Sequence, residues 1–194
     1  MNIERPKSRQ PIPPHAKRVF EGVIFDIYQW EQELYDGSKV IFEKAARDDT
    51  VVVIPTLEDK KFLFLTDEQP SRDPILTFPA GRMDKAGEDP LTSIKRELLE
   101  ETGYASDDWI LWRSFQPASK IDWAVYIFVA RKCKKVAEPN PGPGERITLQ
   151  LKTFDEIIEI ANDPRFVSDD TRSAFIEAKY NPEARALLEK TFFG

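Results

Sequence analysis

The segment from Gly81 to Tyr104 constrains this chain more than any other. Asp89 is a natural N-cap, Pro90 suits the first helical position, and Gly103 is placed to stop a helix in a left-handed turn. Together they predict a helix over 90–102. Leu91, Ile94 and Leu98 recur three and four residues apart, the stripe by which such a helix docks on a sheet. Glu97, Glu100 and Glu101 fall at i, i+3 and i+4, so their side chains are expected together on a face away from that stripe. Like charges at this spacing cost about 0.2–0.5 kcal/mol per pair, which a solvated face tolerates. The same three carboxylates are also an oxygen-donor set suited to Mg²⁺ or Mn²⁺. Glu88, nine residues before Glu97, can fold back over them, and Arg96 can hold these glutamates by forked hydrogen bonds.

Around this helix the chain reads as strands first and helices last. Residues 1–16 carry four prolines and no apolar pattern, which predicts a disordered or extended arm. From Val19 a strand-like run reaches Tyr35, and Asp36-Gly37 turns it back into a return strand beginning at Lys39. Val51–Ile54 and Phe62–Leu65 are short apolar runs typical of buried strands, and Ile75–Phe78 leads into Pro79-Ala80-Gly81. Trp109–Phe115, Val125–Ala130 and Ile147–Leu151 add strands, and helices are expected near 155–162, 169–179 and 182–192. The class is therefore mixed, α+β or α/β. The segmentation is an arm (1–16), a β-rich segment (17–48) and a main domain (49–194).

Composition removes several chemistries. One cysteine, Cys133, excludes an intramolecular disulfide, and one histidine, His15, leaves no Cys/His zinc cluster and scarcely a Ser-His-Asp triad. A formal charge of −6 argues against general affinity for nucleic acid backbones. There is no run of about 18 apolar residues and no secretory leader, so a cytoplasmic protein is expected without membrane or nucleic acid partners. Any metal chemistry must run on carboxylates.

Glu88, then seven residues, then Arg96-Glu97 and on through Leu98, Glu100, Glu101, Gly103 and Tyr104 resembles the Nudix box, G-x5-E-x7-R-E-U-x-E-E-x-G-U with U bulky and apolar. Tyr104 takes the last apolar position. Six residues rather than five separate Gly81 from Glu88, an insertion for which Ala86 is a candidate. The N-terminal run from Phe20 to Pro55 is similar to the β-rich segment of ADP-ribose and nucleotide-sugar pyrophosphatases.

The resemblance implies an α+β fold, an α/β/α sandwich around a mixed sheet, and a Nudix hydrolase that cleaves the pyrophosphate of ADP-ribose or a related nucleoside diphosphate sugar. It implies Mg²⁺ (or Mn²⁺) held by Glu97, Glu100, Glu101 and the Ala80 carbonyl, with Glu88 in support. Catalysis falls to Glu101, to Arg96 as orienter, and to Glu145 in the Pro141–Gly144 loop as base. Tyr28 and Trp30 become candidates for stacking on the base, and Gln69, Arg72 and Arg82 for holding phosphate or ribose. A homodimer through the N-terminal segment is implied as well. Thr77 stands where many members of that branch carry glutamate, and Trp123 and Asp122 are further candidates for the pocket wall. A nucleoside triphosphate pyrophosphohydrolase, or a non-catalytic module that senses nucleotides, are the competing expectations.

Overall fold

A computed structural model describes residues 1 and 3–194, with Asp169 described by its backbone alone. The N-terminal strands are β1 (Lys17–Glu21), β2 (Asp26–Glu33) and β3 (Lys39–Ala46). β4 (Thr50–Pro55), β5 (Phe62–Glu68), β6 (Ile75–Thr77) and β7 (Ala80–Arg82) precede helix α1 (Pro90–Thr102). β8 (Tyr104–Ala105), β9 (Asp108–Phe115), β10 (Ile121–Asp122), β11 (Val125–Arg131), β12 (Lys134–Lys135) and β13 (Arg146–Lys152) follow. Helices α2 (Phe154–Ile160), α3 (Asp169–Tyr180) and α4 (Pro182–Phe193) close the chain. Among the described residues no helix is long and apolar enough to cross a membrane.

The centre is a mixed sheet in the order β7-β4-β11-β9, in which β11 runs parallel to β4 and antiparallel to β9. Its two middle strands are buried along almost their whole length, all but Thr50 and Arg131, because both faces are covered. Val52 and Ile54 of β4, with Val125, Ile127 and Val129 of β11, face a core shared with α2, α3 and α4. Val51 and Val53, with Tyr126, Phe128 and Ala130, face the second core, where Ile94 and Leu98 of α1 pack. This is the expected sandwich. A second sheet, β13-β5-β6, carries Phe62 and Phe64 into the first core.

The C-terminal helices are structural members of that core rather than an appendage. Phe175 and Phe192 meet the Phe62 ring edge-on at 5.7 and 5.8 Å, and Phe166 meets Phe64 at 5.1 Å. Aromatic pairs in such geometry add about 0.5–1.5 kcal/mol each beyond their burial. Thr56 donates to the Phe192 carbonyl at 3.0 Å, and Arg131 takes the carbonyls of Lys190 and Thr191, which fixes the end of α4.

Two N-terminal expectations change. The run from Val19 to Tyr35 is not one strand: it breaks over Gly22–Phe25, so that β1 and β2 pair antiparallel with each other, and β2 then pairs with β3. The turn at Asp36-Gly37 is where the sequence placed it, closed by the Leu34 N–H on the Ser38 carbonyl at 2.8 Å. The arm is extended and docked. Arg5 forks onto Asp49 at 2.8 and 2.9 Å and reaches Asp122 at 3.1 Å, and Lys44 donates to Ser8 and to the Gln10 carbonyl.

Candidate active site

Helix α1 starts and stops as its end residues dictate. The Asp89 carboxylate accepts from Leu91 N–H at 3.0 Å and Thr92 N–H at 3.2 Å, capping two donors that would otherwise be open. Gly103 adopts a left-handed φ of 75° and donates to the Leu99 carbonyl, and a side chain there would strike the Ala137 carbonyl. The buried residues of the helix are Ser93, Ile94, Leu98, Glu101 and Thr102.

Glu101 therefore does not share an outward face with its fellow glutamates, as the i, i+3, i+4 spacing suggested. It follows Leu98 by three residues and continues the Ile94/Leu98 stripe, where it is only 8% exposed. Glu97 lies at the flank of the stripe and Glu100 is the most exposed of the three, with 43% of its side chain open. The backbone explains why a carboxylate can stand on the buried side. The Ala80 N–H donates to Glu101 Oε2 at 3.2 Å, and Gly81 lies so close to Glu97 that a Cβ would overlap its carboxylate. The β7 strand and α1 thus bring Ala80 and Gly81 together with the two glutamates.

Arg96 organises the remaining carboxylates. Its Nε and Nη2 donate to the two oxygens of Glu88 at 3.2 and 3.1 Å, while Nη1 donates to Glu97 at 2.7 Å and Glu100 at 3.1 Å. The fork holds the Glu88 carboxyl below its ordinary range. Glu97 moves the other way: burial raises it, and the Arg96 charge only partly offsets this. Glu101 is pushed well above the ordinary carboxylate range, first by burial and then by the charges of Glu97 and Glu145.

The buried Glu101, with the Ala80 N–H as its hydrogen-bond partner, and the half-buried Glu97 beside it form a pair of carboxylates that suits a cation. Among the described residues no three Asp, Glu, His or Cys side chains converge as a ready-made cage, and Arg96 engages Glu88, Glu97 and Glu100. The donor set still fits Mg²⁺ or Mn²⁺. Both are hard ions that take one or two protein carboxylates and leave other positions to water and phosphate oxygens. Glu145 is exposed in the loop before β13, where its carboxylate accepts from the Gly142 N–H at 3.2 Å, within electrostatic reach of Glu97 and Glu101.

Glu101 and Ala80 open onto a cavity of about 430 Å³, a size typical of small-molecule sites. Val52, Val125 and Ile127 of the central sheet line it, and Asp67, Ile75 and Thr77 add the ends of β5 and β6. Trp123, Phe115 and Pro117 supply a ring-rich portion, and Val167, Ser168 and Asp170 come from the entry to α3. No lysine or arginine is among these lining residues. The charged side chains on this lining are the carboxylates of Asp67, Glu101 and Asp170.

The other sequence candidates divide. Gln69 and Arg72 stand behind the wall, both donating to Asp67 Oδ2, at 3.2 and 2.6 Å. Gln69 also flanks a cleft beside Glu145. Arg82 faces Asp48 and Asp84 at 3.7 and 3.5 Å. Tyr28 and Trp30 do not line the cavity: Trp30 is buried, sits opposite Phe42 in the β2–β3 register, and donates its Nε1–H to Gln32. Asp122 is taken by Arg5 and Gln116 instead of the cavity. Trp123 and Thr77 do line it, as do Asp67, Phe115, Ser168 and Asp170, which sequence reasoning passed over. Asp67 Oδ1 is buried and has no hydrogen-bond partner.

A NUDIX domain profile matches residues 46–171. A methanol dehydrogenase activator of Bacillus methanolicus is 26% identical over 160 residues, covering 80% of this chain and 85% of that protein. An ADP-ribose pyrophosphatase of Bacillus subtilis (strain 168) is 27% identical over 146 residues, 74% of this chain and 75% of the relative. A crystal structure of an ADP compounds hydrolase superposes with a TM-score of 0.70, at 20% identity, over 89% of this chain and 94% of that one.

Proposed function

As the chain belongs to the NUDIX family, we propose that it is a divalent-metal-dependent pyrophosphatase acting on ADP-ribose or a related nucleoside diphosphate sugar. One observation carries this reading: the buried Glu101 carboxylate, held by Ala80 N–H, opens onto the 430 Å³ cavity, whose described lining residues include no lysine or arginine. The likeness to an ADP-ribose pyrophosphatase supports the substrate class.

Glu97, Glu100, Glu101 and the Ala80 carbonyl are the groups that would hold Mg²⁺ or Mn²⁺. When bound, such an ion screens the diphosphate and stabilises charge on the leaving phosphate. Arg96 keeps Glu97 and Glu100 oriented and Glu88 aligned behind them. Glu145, on its Gly/Pro loop, takes the proton from the attacking water, a reach that such a loop makes when substrate arrives. Water adds to one phosphorus, the bridging P–O bond breaks, and a nucleoside monophosphate and a sugar phosphate leave. Gln69 and Arg72, fixed to Asp67 of the cavity wall, and Arg82 of β7 are the groups assigned to hold phosphate or ribose.

The same reading includes a homodimer through the β-rich segment 17–48. The N-terminal sheet leaves Phe20, Val23, Ile24, Ile41 and Tyr35 open to solvent, an apolar surface suited to a second copy.

Incubating the pure protein with Mg²⁺ and a panel of ADP-ribose, other sugar nucleotides, dinucleotides and triphosphates tests the reading. AMP and ribose 5-phosphate from ADP-ribose are expected, with Glu101→Gln slower by orders of magnitude. Turnover of triphosphates alone would overturn the substrate class, and no turnover of any compound would overturn the enzyme.

A further inference from the structure

The glutamates and Ala80 account for the polar edge of the cavity and leave its aromatic portion unexplained. Trp123 is fixed there from two sides. Its Nε1–H donates to Thr50 Oγ1 at 3.0 Å, and the Arg47 guanidinium stands over the ring, 4.9 Å from its centre. Arg47 is itself held, its side chain by the Asp48 carbonyl and its N–H by the Asp122 carbonyl, and it does not line the cavity. The half-buried indole packs in part against the first core and in part lines the cavity, with Phe115, Pro117 and Val167 as fellow wall residues.

A tryptophan needed only for packing is ordinarily closed over by its neighbours. This one is half-buried beside open volume, and its hydrogen bond and cation–π contact are both spent on holding it still. A ring fixed in advance loses little rotamer freedom when a ligand covers it. What suits it is a flat π-system, and the substrate class has one part of that kind.

We propose that Trp123 is the stacking platform for the nucleobase, and so a specificity-determining residue of this site. The proposal rests on the functional reading above and sharpens it: the base lies in the same cavity as Glu101, against the sheet, rather than on Tyr28 or Trp30 of the N-terminal segment. A base–aromatic stack is worth a factor of about 5 to 100 in affinity.

Calorimetric titration of the full chain with AMP and with ribose 5-phosphate, in Mg²⁺, tests this on wild type, Trp123→Phe and Trp123→Leu. Expected is an AMP affinity lowered about 5- to 100-fold in Trp123→Leu and largely kept in Trp123→Phe, while ribose 5-phosphate binding stays the same. Thermal melting checks that each variant is folded. Nuclear Overhauser contacts between AMP base protons and the Trp123 indole of the wild type give a readout that needs no variant. Unchanged AMP affinity in a folded Trp123→Leu, equal loss of both ligands, or AMP binding without indole contacts would overturn the proposal. Failure to hydrolyse any nucleoside diphosphate sugar would instead sink the functional reading, and the AMP titration would still decide on Trp123.

Discussion

Gly81 and Glu97 are packed so closely that a methyl group on the first would occupy the carboxylate of the second. The contact is with the far end of a flexible side chain, and Gly81 has no left-handed backbone requirement. Gly81→Ala should accordingly fold, with stability within about 1 kcal/mol of wild type. The Glu97 carboxylate has to move aside, and a displacement of about 1 Å at a reacting centre costs about 100-fold in rate. A steep fall in kcat with an unchanged melting curve is the expected result; full activity would show that Glu97 needs no fixed position.

Glu101 places a costly carboxylate on the buried stripe of α1. Its carboxyl titrates well above the ordinary value of 4.5 in the fold, whereas in the unfolded chain it does not. A group shifted upward in this way contributes its stability fully below about pH 4.5 and loses it as the pH rises through the folded value. At pH 7–8 without metal, Glu101→Gln should therefore be more stable than wild type, by about 0.5–2 kcal/mol, while losing activity. Denaturant melts from pH 5 to 8 check this: the wild type should weaken with pH more steeply than the variant, in which the raised Glu97 remains. Added Mg²⁺ should raise the melting temperature of the wild type far more than that of the variant.

Arg96 makes four hydrogen bonds to three glutamates with one planar group. A lysine offers a point charge in place of the fork and cannot reach Glu88 in two parallel bonds while serving Glu97 and Glu100. Arg96→Lys should weaken metal affinity about 10- to 100-fold, as loss of an orienting partner does around metal ligands. A Mg²⁺ titration of activity, with the ion also titrated calorimetrically, separates weaker binding from slower chemistry. An unchanged Mg²⁺ midpoint would show that the fork is not needed to set the ligands.

These relationships were unequally visible in the sequence. The bounds of α1 followed from Asp89, Pro90 and Gly103 because caps act locally, and the middle strands announced themselves by apolar runs covered on both faces. The facing of Glu101 was misread, since an acid three residues after Leu98 reads as solvent-facing until Ala80 N–H is brought to it from β7. Asp67 gave no signal for a similar reason: at a strand end it resembles any surface acid, and only the β5–β6 pairing sets it in a cavity wall. The last 32 residues looked like bare helical packing. Their partners, Phe62, Phe64 and Phe78, lie about 100 residues earlier, and no local pattern links the two.

The N-terminal sheet supplies the last test. Phe20 is 58% exposed and Ile24 50%, on β1 and the turn that joins it to β2. Isolated apolar residues on a surface are ordinary, but this group is concentrated on β1 and the turn after it, beside an otherwise charged chain. Because neither side chain belongs to either core, Phe20→Glu with Ile24→Glu should leave the melting of the monomer nearly unchanged, within about 0.5 kcal/mol. Light scattering on a sizing column should show a dimer for the wild type and a monomer for the double variant. A wild type that runs as a monomer at micromolar concentration, or a double variant that still dimerises, would remove the N-terminal sheet as the interface.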